Sequence, residues 1–517
     1  VLPFLHTPPS SLLPLILTMS KLLLLLAATT LAGINTHKQV HAVADTAAFS
    51  TPFSTDQLEV VEDINGNNNL GVEDNSPSGA YEEIEEMGNA MESAVKTEPY
   101  DNEAVLRVAG DATVTLAAKV LTAASEARMQ EGMDAPAVNT VISPLGMHQS
   151  LSLAQLGATP DSPSHEELKV VTGVNVPEID EQSGIGALHS ALMTEGSPLL
   201  LANSVWSRPE ILPTYTEAAL TALEAEARQM PEDATEINSW VSSKTNGLIT
   251  KLLDDDTVKD PLLLSVLLNA VYFKAAWKVQ FDPKLTTTGN FTTRGGVVVP
   301  DVPYMHMKVG EAKVIVENIP NLGKITAISL PYANDGYRAI LLLPDDGLDV
   351  HEMVKYVFSP MEGGNFAQPG SPEAKCEPDS TRWCHISAKT AYREWGSTVG
   401  LFLPKFKLES GVMDVTAPLK ASGMLREATM PNRGGFLRMT DDTAAHIDRT
   451  LQKATMEFTE EGTEASAATA TLVSTRSLAR PRIFRLKFDH PFVVVIEHEP
   501  TRSVAFAAIV EDPLQSS

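Results

Sequence analysis

The chain holds many serines, histidines and aspartates, but they spell out no catalytic site of its own. There is no Gly-x-Ser-x-Gly turn to present a nucleophile, no His-Glu-x-x-His pair for zinc, and no Gly-x-x-x-x-Gly-Lys loop for phosphates. His385 and His490 have no nucleophile beside them in sequence and read as structural or solvated side chains. No metal or cofactor is expected. Residues 460–477 read Glu-Glu-Gly-Thr-Glu-Ala-Ser-Ala-Ala-Thr-Ala-Thr-Leu-Val-Ser-Thr-Arg-Ser. Arg476 closes this run with a long cation whose planar fork suits pairing with a carboxylate.

The small-residue run before Arg476 has the composition of a flexible linker but the alternation of a strand. Thr463, Ala465, Ala467, Thr469, Thr471 and Val473 occupy every second position, all small or β-branched and none charged. A strand sends successive side chains to opposite faces, so this face is suited to burial. The run contains no proline, so its backbone can pair on both sides.

The elements that must carry this segment come from hydrophobic periodicity. Residues 106–121 and 147–156 have helical spacing, and so do 238–253, with Trp240 on the apolar side. Residues 262–273 form a nearly continuous apolar run that predicts a buried strand. Residues 325–330 and 337–343 flank Asn334-Asp335-Gly336 and predict a hairpin. Residues 401–408 read as a strand, 413–424 as a helix, and 492–497 with 504–510 as a final hairpin. Helices concentrate early and strands late, which predicts an α+β class with mostly antiparallel pairing.

Of 517 residues, 43% are apolar, enough for a large core, and the net charge of −27 argues against nucleic acid or anionic membranes as partners. Residues 43–105 carry about half of that excess and few large apolar side chains, the signature of an acidic, disordered extension. Before it, Met19-Ser20-Lys21, the apolar stretch 22–34 and Val40-His41-Ala42 describe a secretory signal over residues 1–42, with Met19 as the expected start. Secretion makes Cys376 and Cys384 a disulfide pair within a Gly/Pro-rich surface insertion at about 362–397. It also makes Asn290-Phe291-Thr292 a glycosylation sequon.

The run at 460–465, Glu460-Glu461-Gly462-Thr463-Glu464-Ala465, resembles the hinge of the serpins throughout. Further matches follow in order: Asn139-Thr-Val-Ile-Ser143-Pro144; Leu268-Asn269-Ala-Val-Tyr-Phe273-Lys-Ala-Ala-Trp277; Leu403-Pro404-Lys405-Phe406; and Phe488-Asp-His-Pro491-Phe492. The resemblance spans about 106–513. It implies the serpin fold: early helices packed on a large, mostly antiparallel central sheet, further smaller sheets, and an exposed reactive loop. It places the scissile bond fourteen residues beyond Gly462, at Arg476-Ser477; Arg480 is the other arginine, but Pro481 follows it. It assigns Ser143, Asn269 and Gln452 to the shutter where the central sheet opens. There this chain departs from the family pattern, with Gly146 in place of a serine and Gln452 in place of a histidine. The function implied is a secreted, extracellular and monomeric inhibitor of trypsin-like serine proteases. The alternative is a non-inhibitory binding protein of the same fold, such as a carrier or chaperone. The small inward residues of the hinge favour the inhibitor.

Overall fold

The computed structural model describes residues 102–174, 181–309, 314–334, 336–361, 376, 381–392, 399–433, 435–463 and 484–515, all within one compact unit, Ser93–Ser517. The predicted signal, most of the acidic extension and the predicted scissile bond lie outside these residues.

Ten α-helices are seen among the described residues: α1 (Asn102–Glu131), α2 (Pro144–Gly157), α3 (Pro163–Thr172), α4 (Glu181–Leu192), α5 (Pro213–Leu223), α6 (Thr235–Lys244), α7 (Asp255–Lys259), α8 (Val350–Phe358), α9 (Arg382–Tyr392) and α10 (Thr416–Ala421). Local chemistry sets their ends. Ser143 caps α2 by accepting from the Gly146 N–H, and Pro144 fills its first position, where a missing N–H costs nothing. Ser162 and Pro163 do the same for α3, which ends at Gly173 with φ 73°. The helix predicted over 238–253 stops at Lys244, because Asn246 (φ 52°) and Gly247 (φ 79°) turn the chain left-handed. The helix predicted over 413–424 shrinks to α10, with a short strand before it.

The strands are β1 (Thr140–Ile142), β2 (Leu199–Ser207), β3 (Glu226–Gln229), β4 (Ser265–Phe273), β5 (Ala275–Ala276), β6 (Thr287–Thr292), β7 (Val298–Val309), β8 (Val314–Ile319), β9 (Gly323–Pro331), β10 (Tyr337–Pro344), β11 (Val399–Pro404), β12 (Phe406–Glu409), β13 (Met413–Asp414), β14 (Arg449–Phe458), β15 (Gly462–Thr463), β16 (Phe484–Lys487), β17 (Phe492–His498) and β18 (Ser503–Val510). They build three large sheets. The central one runs β12-β14-β4-β2-β3, with β13 also on β14; a second runs β1-β18-β17-β10-β9-β8; a third runs β16-β11-β7-β6. Pairing is mostly antiparallel, but β14–β4, β2–β3 and β11–β16 are parallel. The strand predicted over 401–408 is two strands in different sheets, divided at Lys405 after Pro404.

All nine residues of β4 are buried, as its apolar run predicts. Val266, Leu268 and Ala270 pack with Trp206 and Trp240 under α6 and the connection that follows it, while Val271 and Phe273 face the opposite interior. Part of the predicted surface insertion joins the core: α9 buries Trp383 against Phe358, with ring centroids 5.8 Å apart. Its Ser387 hydroxyl donates to Glu497, the carboxylate that also pairs with Arg338 at 2.9 Å. Periodicity over 362–397 is hidden by the glycines and prolines around this short helix.

The C-terminus is fastened by a buried charge cluster. Glu511 accepts from Arg128 Nε (3.2 Å) and Nη2 (3.1 Å) and meets His351 Nε2 at 3.0 Å. Burial alone would raise the Glu511 carboxyl, but hydrogen bonds and charge from His351 and Arg128 outweigh it and hold it below the usual range. A depressed carboxyl stabilises the fold above its unfolded pKa, and that contribution vanishes as pH falls through the folded value. Stability should therefore drop progressively below about pH 4.3. Glu511→Ala, which strands the buried Arg128 guanidinium, should lower the unfolding free energy at pH 7 by about 3–5 kcal/mol in urea titrations. A loss under 1 kcal/mol would show the cluster to be incidental.

Candidate loop-insertion site

The predicted hinge and shutter lie along one seam, the parallel β4–β14 ladder, which runs in register from Val266–Arg449 to Tyr272–Thr455. Beyond that last pair the chain turns at Thr459 and comes back as β15. Gly462 and Thr463 pair antiparallel with Ala276 and Ala275 of β5, the continuation of β4. The turn is closed by Thr459, whose N–H and hydroxyl both donate to the Gly462 carbonyl at 2.9 Å. The hinge has thus entered the head of the seam as far as Thr463.

Each hinge residue has a physical task. A Cβ on Gly462 would come within 2.1 Å of the Ala275 carbonyl oxygen, so no other residue fits this approach. Thr463 is fully buried and its hydroxyl lies 2.7 Å from that of Tyr332. Burial pushes the Tyr332 phenol well up, so it stays neutral. Tyr332 stacks on Trp277 at 4.5 Å, and Trp277 packs edge-on against Phe458 at 5.3 Å. Trp277 also donates from Nε1 to the Thr459 carbonyl (3.0 Å) and from its backbone N–H to Glu461 (2.9 Å). Glu460 accepts from Thr286 (2.7 Å) and pairs with Lys405 (2.8 Å). Burial would raise its carboxyl, but these two partners hold it below the usual range. Glu464, Ala465, Arg476 and Ser477 lie outside the described residues.

The shutter residues meet midway down the seam. Gln452 and Asn269 are direct register partners, and Gln452 Nε2 donates to Asn269 Oδ1 at 3.2 Å. The same amide accepts from Ser143 N and donates to Ser143 O, both at 2.8 Å. Asn269 continues the chain of bonds to Asn203 Oδ1 at 2.7 Å, and Ser143 Oγ donates to the Ala505 carbonyl at 2.7 Å. All three shutter residues are buried. The two departures from the family pattern explain each other: a Cβ on Gly146 would lie 2.0 Å from Asn269 Oδ1 and 2.7 Å from Gln452 Nε2. The space that Gly146 leaves empty is the space the glutamine bridge occupies.

Sequence reasoning missed several partners. Trp277 stood in a quoted motif without a task, and Tyr332, Thr286 and Asn203 carried no signal. Nor did Asp448, which closes the foot of the seam. One of its oxygens accepts the Leu264 and Ser265 N–H groups, both at 2.9 Å, and the other meets His446 Nε2 at 2.8 Å. His446 is thereby held above its ordinary pKa, chiefly by the Asp448 hydrogen bond. His490 is structural, bonded to the Pro344 carbonyl at 2.8 Å and to Asp489 at 3.2 Å. Cys376 and Cys384 form a disulfide. Asn290 is exposed on β6.

If Gly146 and Gln452 share one space, their effects must couple. Gly146→Ala should cost about 1–3 kcal/mol through overpacking. Gln452→Ala should cost a similar ~1–3 kcal/mol by orphaning the Ser143 backbone groups. A double-mutant cycle in urea should then give a non-zero interaction energy of at least ~0.5 kcal/mol. Strict additivity would mean that the two positions are independent.

Comparison with known proteins agrees with this architecture. The family model described as Serpin (serine protease inhibitor) matches residues 123–513. Glia-derived nexin of Mus musculus is 28% identical over 393 residues, covering 73% of this chain and 88% of the relative. Serpin B8 of Homo sapiens is 28% identical over 386 residues, covering 72% and 93%. The crystal structure of native protease nexin-1 with heparin superposes with a TM-score of 0.62 at 23% identity, over 80% of this chain and all of that one. Human thyroxine-binding globulin complexed with its ligand has a TM-score of 0.60 at 21% identity, with the same coverage. With a seam, hinge and shutter arranged as described, and a family match over most of its length, the chain belongs to the serpins, a family of serine protease inhibitors rather than enzymes.

Proposed function

We propose that this chain is a secreted suicide inhibitor of trypsin-like serine proteases, cleaved at Arg476-Ser477. The observation that carries the reading is the placement of β15. Gly462 and Thr463 are paired at the head of a parallel seam, and the following chain, if it continues, runs antiparallel to both β4 and β14. Continuing the β15–β5 register sets Ala465 opposite Phe273, Ala467 opposite Val271, Thr469 opposite Asn269 and Val473 opposite Ser265. The small, uncharged face then follows Thr463 into the interior.

In this mechanism the protease serine attacks the Arg476 carbonyl, the bond to the Ser477 nitrogen breaks, and an ester tethers the two proteins. Freed from Ser477, residues 464–475 follow Thr463 into the sheet and complete a strand of roughly 43 Å, at ~3.3 Å per residue. One parallel ladder is exchanged for two antiparallel ones, with a dozen or more new backbone hydrogen bonds at ~1 kcal/mol each. The Gln452–Asn269 bond crosses the seam and must open, and Thr469 arrives beside it with a hydroxyl to offer both amides. The Asp448 clasp on Leu264 and Ser265 opens last. The uninserted form is then held kinetically rather than at its energy minimum.

The same reading takes residues 1–42 as a secretory signal, 43–105 as an acidic extension and 106–517 as the serpin domain. It also takes the inhibitor as a monomer and Asn290, exposed on β6, as a glycosylation site.

Two measurements test the mechanism. Arg476→Ala should abolish SDS-stable adducts with trypsin while leaving the melting temperature unchanged; adducts that persist would place the scissile bond elsewhere. Thr463→Arg puts a charge where a fully buried hydroxyl now sits, at a cost of several kcal/mol if unpaired. It should be cleaved at Arg476 yet trap little protease, and wild type nicked in its loop should melt well above the intact protein. Undiminished trapping by Thr463→Arg, with no gain in melting temperature on nicking, would favour the non-inhibitory binding protein instead.

A further inference from the structure

A cleft of about 410 Å³ lies at the foot of the central sheet, between the connection that follows α6, the segment around β13 and the outer face of β14. Its size lies within the range of small-molecule sites. Lys251, Arg449 and Lys453 line it. Arg449 and Lys453 point the same way because they are four residues apart on one strand, with Leu451 between them as apolar floor. In a chain of net charge −27, three cations lining one cleft stand out. Among the described residues Lys251 and Arg449 have no ion-pair or hydrogen-bond partner for their side chains, and Lys453 reaches only the Lys251 carbonyl, at 3.4 Å.

Two carboxylates, Asp254 and Asp414, share the lining, but each is already engaged. Asp254 accepts the Thr257 N–H at 2.8 Å and Asp414 the Thr416 N–H at 2.9 Å. Each carboxylate has lone pairs left to accept a hydroxyl as well. Asp254 is held below the usual range by its Thr257 bonds first, with Lys251 and Arg449 contributing by charge. The three cations call for anionic oxygens, and the two carboxylates call for hydroxyl donors. Leu252, Leu253 and Val412 supply an apolar wall.

We propose that this cleft binds a small sugar or polyol bearing a phosphate or sulfate ester. The anionic group sits among Lys251, Arg449 and Lys453, and the hydroxyls donate to Asp254 and Asp414. The site has a consequence for the sheet. Lys251 belongs to the connection that packs over β4 through Ile249, Leu252 and Leu253, whereas Arg449 and Lys453 belong to β14. A ligand joining them staples that connection across the seam between β4 and β14. It binds the uninserted form in preference to the inserted one and slows opening. This last step rests on the insertion mechanism proposed above; the binding site itself does not.

Isothermal titration of the intact protein with glucose 6-phosphate, glucose 6-sulfate, glucose and inorganic pyrophosphate tests the site. Saturable one-to-one binding of a sugar ester, absent with glucose and weakened by salt, is the expected result, and the stronger of the two esters identifies the source. Lys251→Gln and Arg449→Gln should each weaken it about tenfold or more. No heat beyond that of glucose, or binding indifferent to both substitutions in variants that melt as wild type does, overturns the site. Pyrophosphate binding as tightly as the sugar ester overturns the polyol assignment. In thermal melts the ester should raise the transition of the intact protein more than that of loop-nicked protein. An equal rise in both forms overturns the staple. If nicking itself leaves the transition where it was, the insertion mechanism fails while the titration still decides the site.

Discussion

The whole molecule is arranged around one parallel strand pair. β14 and β4 run the same way, so a strand returning from the end of β14 is antiparallel to both, and the gap between them is the natural place for it. Parallel ladders have slanted bonds and are slightly less stable per residue than antiparallel ones. A sheet with a parallel seam between the antiparallel pairs β12–β14 and β4–β2 therefore has a built-in line of weakness at its middle. That weakness is useful only if the seam stays shut until needed, and the polar groups along it do this. Thr459 and Trp277 hold the head, Gln452 and Asn269 the middle, and Asp448 the foot.

These closures differ in kind. At the head the fit is steric and aromatic: Gly462 passes the Ala275 carbonyl where no Cβ could, and Thr463 sits under Tyr332 and Trp277. In the middle it is a neutral amide network buried on all sides. Each amide is satisfied by its neighbours, so the network specifies one arrangement without the desolvation cost of a charge. At the foot it is ionic, a carboxylate held between two backbone N–H groups and a histidine. In the proposed mechanism an entering strand would meet these in sequence.

The helices and the other two sheets serve as the frame for that opening. α2 carries Ser143 to the shutter because its N-cap is also a shutter residue, so helix start and seam closure are set by one side chain. The C-terminal hairpin β17–β18 receives Ser143 through the Ala505 carbonyl and is fixed in turn by the Glu511 cluster. A change in the frame is thus felt at the seam through short, fully buried contacts.

By itself the sequence determined the class and most element positions, and it named the segment expected to move. Apolar runs marked β4, β9, β10, β17 and β18, because a strand buried on both faces leaves a continuous apolar signature. The alternation of 463–473 marked a face fit for burial, and the hinge motif marked Gly462. The ends of α6 and the division of β11 from β12 were missed because they depend on single residues, Asn246-Gly247 and Pro404, inside otherwise continuous patterns. The tertiary structure decided what joins across long separations. Gln452 with Asn269, Tyr332 with Thr463, Lys405 with Glu460 and Asp448 with Ser265 are each a short contact between residues far apart in the chain. Periodicity reports only which face of an element is buried, not what it is buried against. The size of a cavity, the mate of a buried hydroxyl and the pairing of a charge exist only once the elements have packed.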